Sequence, residues 1–215
     1  MKVIDLTHTY ETGQLAGNPE RHPSVKLTPM GKLEEAGCNT SSLLLGSHTG
    51  THMDAPFHLI GNGDTIDCID LTYCTGDVTV VDLRTFKSNE SVQVSDLTDI
   101  RITSCMLFVF GWDKYFGTAK YSESWPYFTL DAIKHLVAHG LKLLVIDTLS
   151  PDRKATGSEN DYEVHKYLFN HGVNIVEKIT NTESVDFSKH YSIAALPLKL
   201  KNLDGSPCRV ILIEK

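Results

Sequence analysis

The sequence predicts a mixed α/β domain in which sheet predominates, and three observations carry that expectation. Eight short apolar or β-branched runs recur along the chain, most of them bounded by Gly, Asp, Ser or Pro as strands are. Only two segments place apolar residues at helical spacing. Repeats, low-complexity tracts and linkers are absent from the 215 residues, a length that suits one domain with a full core. A single domain over 1–215 is therefore expected.

The elements follow in order. Val3–Leu6 opens the chain as a short strand, and Ser42–Leu45, Asp77–Leu83 and Cys105–Phe110 are the next three. Thr129–Ala138 reads as a helix: Thr129 is a fitting N-cap, Leu130, Ile133, Leu136 and Val137 share a face, and Gly140 ends it. The strand Leu143–Ile146 follows. A second helix is expected over Asn160–Asn170, closed by His171-Gly172 before the strand Val173–Val176. Tyr191–Leu196 and Arg209–Ile213 complete the set. This pattern does not select a topology.

Composition narrows the function classes. A net charge of −7 with no basic run argues against a nucleic-acid partner. No apolar stretch approaches the roughly 20 residues that span a bilayer, and Met1–Thr7 enters a strand-like run rather than a signal peptide. The five cysteines are scattered, with no C-x-x-C pair, which fits reduced thiols in a cytoplasmic protein.

Reactive chemistry is concentrated between Ser47 and Leu59, where His48, His52, Asp54 and His58 fall within eleven residues. These residue types bind divalent metals and move protons. All four positions are even-numbered, so an extended segment would send them to one face. On a straight strand, however, His48 and His52 would stand roughly 13 Å apart at about 3.3 Å per residue. Metal–nitrogen bonds of about 2 Å cannot bridge that gap. Gly50, Pro56 and the β-branched Thr49 and Thr51 disfavour a helix. A tight curl after Ser42–Leu45, permitted by Gly50, is the remaining geometry.

A well-closed metal site needs ligands from elsewhere. His165 shares a helix face with Tyr162, Leu168 and Phe169 and should point inward, either as a ligand or as a core histidine bonded to a backbone carbonyl. Glu177 follows the strand Val173–Val176, in phase with Val173 and Ile175. It either meets a buried partner or emerges into solvent beside Lys178. Trp112 and Trp125 read as packing residues, and His22, His135, His139, His171 and His190 as surface or core residues. Cys68 and Cys74 lack a nearby activating base, which argues against a cysteine nucleophile.

The segment His48-Thr-Gly-Thr-His-Met-Asp-Ala-Pro-Phe-His58 resembles the H-x-G-T-H-x-D-x-P-x-H motif of the cyclase family of metal-dependent hydrolases without a mismatch. That family includes bacterial kynurenine formamidases and isatin hydrolases. Supporting similarity lies in Ile4-Asp-Leu-Thr, Gly111-Trp112, Ile146–Asp152 and Leu196-Pro-Leu-Lys…Asp204-Gly-Ser-Pro. His165 and Glu177 look like the family's distal ligand pair. The resemblance implies a swivelling β/β/α type of α/β fold and homo-oligomers, dimers or tetramers, in which a neighbouring subunit can help cover the pocket.

It also implies roles. His48, His52 and Asp54 would hold one metal and His165 a second, with Asp54 and Glu177 bridging. Such nitrogen–oxygen sets suit Zn²⁺ and tolerate Mn²⁺. The metals would acidify a water and polarise a substrate carbonyl. His58 looks like the catalytic proton carrier, the alternative being a further metal ligand. Histidine's ordinary pKa near 6.5 suits proton transfer. The implied reaction is arylformamidase-like hydrolysis of an amide C–N bond in a small molecule, as in N-formylkynurenine to kynurenine and formate.

Kynurenine formamidases carry an aromatic residue, often Trp, in the N-terminal loop, whereas the stretch Gln14-Leu-Ala-Gly-Asn-Pro-Glu20 has none and departs from the Pro-Gly run. An isatin-like cyclic amide or a lactone would suit the same machinery. A metal-binding protein without turnover is the expectation from another class.

Overall fold

The computed structural model describes residues 1–14, 22–154 and 162–215. The chain begins with β1 (Val3–Asp5), then β2 (Lys26–Gly31), α1 (Leu33–Ala36), β3 (Thr40–Leu44) and β4 (His52–Asp54). It continues through β5 (Thr75–Asp82), β6 (Ser91–Val92), β7 (Cys105–Val109), α2 (Ala119–Glu123), β8 (Tyr127–Phe128) and α3 (Leu130–Ala138). The last elements are β9 (Leu143–Ile146), α4 (Glu163–Asn170), β10 (Asn174–Glu177), β11 (Tyr191–Pro197) and β12 (Gly205–Glu214). The expected strand-rich α/β architecture is what forms.

The main sheet runs β12-β11-β5-β7-β9-β10-β4 and closes on itself, because β4 pairs with β12 as well as with β10. Seven strands thus form a barrel-like ring, and β1 lies beside the far end of β12. The run β5-β7-β9-β10 is parallel and the remaining junctions of the ring are antiparallel. Closure matters for function. It brings the motif strand β4 between two strands that are distant from it in sequence.

Two apolar clusters fill the fold. On β7, Cys105, Leu107 and Val109 face the barrel interior with Leu143, Val145, Val176 and Val210. The alternate residues Met106 and Phe108 join Leu144, Ile146 and Ile175 against Ile133 and Leu136 of α3 and Val164 and Leu168 of α4. Strands covered on both faces read as continuous apolar runs, which is why β7 and β9 were legible.

Several expectations shift. Ser42–Leu44 of the Ser42–Leu45 run lie in β3, which among the described residues pairs only with β2, in a ribbon whose Met30, Leu43 and Leu44 are exposed. Strand β4 was not expected, because His-Met-Asp has no apolar alternation. The helix α3 has its Thr129 cap as expected, the Thr129 hydroxyl accepting from the Ala132 amide. The start expected for the second helix, Asn160, lies outside the described residues, and α4 ends at Asn170 as expected.

Candidate metal centre

The motif combines the two geometries that the sequence set against each other. Residues 47–51 form a turn, and a strand follows from His52. Gly50 has φ +54, and a Cβ there would stand 2.6 Å from the Tyr10 ring, so both conformation and space demand glycine. The Tyr10 hydroxyl donates to the Thr51 carbonyl at 2.9 Å, and the Thr51 hydroxyl donates to the Lys178 carbonyl at 2.7 Å. Lys178 Nζ donates in turn to the His48 carbonyl at 3.2 Å. The curl is thereby fastened to the end of β10.

Register does the rest. Glu177 lies opposite His52, and Ile175 opposite Asp54. Opposed residues of an antiparallel pair share a face, so His52, Asp54 and Glu177 project together while Met53 and Val176 enter the barrel. That shared face is covered by α4, which supplies His165. On the other side of β4, Gly205 lies opposite Asp54, and a Cβ there would stand 3.1 Å from the His48 ring. Glycine leaves that ring its space.

The five side chains His48, His52, Asp54, His165 and Glu177 are all buried. Asp54 Oδ1 lies 2.6 Å from His48 Nδ1 and 3.1 Å from His52 Nε2, and Asp54 Oδ2 lies 3.3 Å from His165 Nε2. Glu177 completes the cluster, 3.2 Å from His165 Nε2 and 3.5 Å from His52 Nε2. The solvent-facing alternative for Glu177 is overturned, since Glu177 and its neighbour Lys178 are each 5% exposed. Among the described residues the His165 ring meets no backbone carbonyl either, its nitrogens facing Asp152 and Asp54.

Each histidine presents one nitrogen to the cluster and commits the other to an oxygen outside it. His52 Nδ1 donates to the Gly50 carbonyl at 2.8 Å, His165 Nδ1 meets Asp152 Oδ2 at 2.5 Å, and His48 Nε2 meets Asp204 Oδ2 at 2.8 Å. Such outer partners fix the tautomer and turn a lone pair inward, the usual support for a metal-ligating imidazole. Asp152 also accepts the Val164 and His165 amides, so the same carboxylate caps α4 and aims its histidine.

The donor set fits a divalent cation. His52 Nε2, Asp54 Oδ1 and Glu177 Oε1 are buried without a hydrogen-bond partner among the described residues. His52 Nε2 and Asp54 Oδ1 are acceptors facing each other at 3.1 Å, an arrangement that a cation between them relieves. Two donors about 2.0–2.2 Å from a tetrahedral ion stand roughly 3.3–3.6 Å apart, close to the 3.1–3.5 Å of four pairs in the cluster, while His48 Nδ1 and Asp54 Oδ1 are nearer at 2.6 Å. His48, His52 and Asp54 form one group able to hold an ion, and Asp54, His165 and Glu177 another.

Electrostatics agree. Burial alone would weaken the proton affinity of His48, but Asp54 and Asp204 outweigh it and lift its pKa to about 9. His165 is likewise pushed up, against its burial, by Asp152, Asp54 and Glu177. Burial lowers His52, with Asp54 opposing. Asp54 is held well below the usual carboxylate range by His48, His52 and His165 despite its burial.

His58 stands apart from the buried group. Its side chain is 30% exposed, on the short turn Pro56–His58, with its ring 4.2 Å from that of His48 and 6.4 Å from that of His165. A third group able to hold an ion joins His48, His58 and Asp204.

Sequence reasoning missed Asp152, Asp204, Gly205 and Lys178. The signal was available for three of them: both aspartates and Gly205 belong to the segments that carry the family likeness. His22 was read as having no context, yet its ring lies 5.7 Å from that of His48. Trp112 and Trp125 are buried packing residues as expected, and Trp125 Nε1 donates to the Asp152 carbonyl at 2.9 Å. Burial raises the Cys74 thiol to about 11, which leaves it inert as a nucleophile.

A closed, strand-rich α/β barrel with a buried histidine–carboxylate cluster defines a class of protein equipped to hold divalent cations. Within that class the chain belongs to the cyclase family: the family model described as putative cyclase matches residues 4–153. It is 28% identical to a kynurenine formamidase of Bacillus cereus (strain ATCC 10987 / NRS 248) over 84% of this chain and 83% of that protein. A solved structure described as a potential metal-dependent hydrolase with cyclase activity matches 100% of this chain and 98% of its own, at 25% identity and a TM-score of 0.78. An isatin hydrolase bound to the product analogue thioisatinate shares the fold, with a TM-score of 0.83 at 22% identity over 100% of this chain and 93% of its own.

Proposed function

We propose that the chain is a metal-dependent hydrolase of small-molecule amides, arylformamidase-like, acting as one domain over 1–215. The observation that carries this reading is the convergence of orphaned, buried donors beside a histidine that remains open to solvent. The similarity to kynurenine formamidase supports the choice of a C–N bond and of N-formylkynurenine as the reference substrate.

In this reading His48, His52 and Asp54 would hold one ion and His165 a second, with the Asp54 and Glu177 carboxylates available to both. The ligand set has no thiolate, which suits Zn²⁺ and tolerates Mn²⁺. When bound, the metal supplies Lewis acidity that lowers the pKa of a water and polarises the substrate carbonyl. His58 takes the proton of the attacking water and delivers it to the leaving amine nitrogen, so the C–N bond breaks to a carboxylic acid and an amine. His58 ends the cycle as it began. The metal-facing histidines are held for binding by Gly50, Asp152 and Asp204 and take no part in proton transfer.

Ring opening of an isatin-like cyclic amide or a lactone is the second reading, favoured by the lack of an aromatic residue in Gln14–Glu20. Most of that stretch lies outside the described residues. A binding protein without turnover gains nothing from His58 at the opening. The free thiols suit a cytoplasmic protein. The exposed Met30, Leu43 and Leu44 of the β2–β3 ribbon suit a homo-oligomer. No helix among the described residues is long and apolar enough to cross a membrane.

The test is an assay of zinc-loaded protein on N-formylkynurenine, isatin and simple lactones. Formate release from the first is expected. Preference for isatin or a lactone selects the second reading, and no turnover on any of them by fully loaded protein overturns both.

A further inference from the structure

Asp204 has no part in the ligand assignment above, yet it stands between the two halves of the site. Its Oδ2 lies 2.8 Å from His48 Nε2 and 3.5 Å from His58 Nδ1. One carboxylate oxygen therefore faces a proposed metal ligand and the proposed proton carrier together. Carboxylate oxygens have enough lone pairs for both. Contacts of this kind are often long before substrate binds and tighten in the complex.

The backbone holds this arrangement in place. Asp204 directly precedes β12, and its carbonyl accepts the Ala55 amide at 3.0 Å. The Ala55 carbonyl accepts the His58 amide at 2.9 Å, at the start of the turn that carries the histidine. Two hydrogen bonds through a single residue thus tie Asp204 to the histidine it faces. Gly205, next in the chain, keeps the space beside the His48 ring open.

We propose that Asp204 is a positioning residue that sets the tautomer of both histidines. It takes the Nε2–H of His48, which turns the Nδ1 lone pair to the cluster, and the Nδ1–H of His58, which leaves Nε2 as the nitrogen that accepts and returns the proton. The proton on His58 Nδ1 stays where it is throughout, and Asp204 remains ionised beside the imidazolium that forms. This rests on the hydrolase reading for the role of His58, but the tautomer itself does not.

Asp204→Ala and Asp204→Asn test it, with ¹⁵N-histidine NMR of the zinc-loaded protein as a readout independent of turnover and His58→Ala to assign the resonance. Wild type is expected to show His58 protonated at Nδ1. Asp204→Ala should lose that preference and lower kcat by about 10–100-fold at saturating zinc with KM little changed. Asp204→Asn, which keeps an acceptor, should recover part of both. An unchanged tautomer in Asp204→Ala, or an unchanged kcat, overturns the proposal. So does a zinc content that stays low in saturating metal, which would make Asp204 a ligand. Wild type inactive on every substrate would defeat the hydrolase reading, while the NMR comparison would still decide the role of Asp204.

Discussion

Strands β7 and β4 belong to the same barrel and are equally buried, yet they are built on opposite terms. Every residue of β7 is apolar, Cys105, Leu107 and Val109 turned inward and Met106 and Phe108 toward the helices. Strand β4 turns Met53 inward and presents His52 and Asp54 to the face under α4. Burial stabilises β7 directly, by roughly 25 cal/mol per Å² of apolar surface. On β4 burial is a cost that the neighbouring carboxylates and carbonyls offset only in part, leaving His52 Nε2 and Asp54 Oδ1 for a cation to satisfy. The parallel arm of the sheet holds the fold together, and the antiparallel corner that closes it concentrates the chemistry.

The largest effect expected from breaking this contrast is at Asp54, the carboxylate that meets three histidines. Asp54→Ala should reduce metal affinity by more than the roughly 10–100-fold typical of an outer partner, with hydrolysis lost alongside. Metal analysis after dialysis and a folding check by circular dichroism measure both. Retention of stoichiometric metal would break the comparison.

His58→Ala separates chemistry from binding within the corner. Turnover should fall by about 10²–10⁴-fold while metal content stays at the wild-type level. Metal lost in proportion to activity would make His58 a ligand instead.

Phe108→Ala probes the other region. It should destabilise the fold by about 3–5 kcal/mol in denaturant unfolding while the protein that remains folded binds metal as tightly as wild type. Weakened metal binding by the folded variant would mean that the two regions are not separate.

The smallest effect is graded with pH. His48, lifted to about 9, keeps its proton at neutrality. Metal must displace that proton, so affinity should rise by at least about tenfold per pH unit between 7 and 9. The metal-free protein should move the other way. A raised pKa stabilises the fold fully below the ordinary histidine value near 6.5, and that contribution is lost as pH rises through about 9. Chelator-competition titrations and metal-free melting curves, taken across that range, read the two slopes. Parallel slopes would remove His48 from the ligand set.

How much of this was legible follows the same division. β7 and β9 announce themselves because two buried faces demand unbroken apolar runs, and α3 because its cap and stop residues are local. β4 does not, since three residues with two ionisable side chains look like a loop until the ring closes around them. The cluster at 48–58 was visible because its residues are adjacent in sequence. His165 and Glu177 needed the family likeness to be chosen over blander roles, because Glu177 is brought in only by the register between β4 and β10 and His165 only by α4 lying over that face. Asp152 and Asp204 act through other side chains, 13 and 156 positions from the histidines they hold. Spacing carries no trace of such partnerships.

A single titration decides whether the cluster is a working metal centre. Metal-depleted protein is supplied with Zn²⁺ in steps, and bound metal and hydrolysis of N-formylkynurenine, isatin and a simple lactone are followed in the same samples. Hydrolysis of one of them that rises in step with occupancy, and disappears when a chelator removes the metal, is the expected result. Hydrolysis that persists in metal-free protein, or full occupancy with no hydrolysis of any of the three, would contradict it.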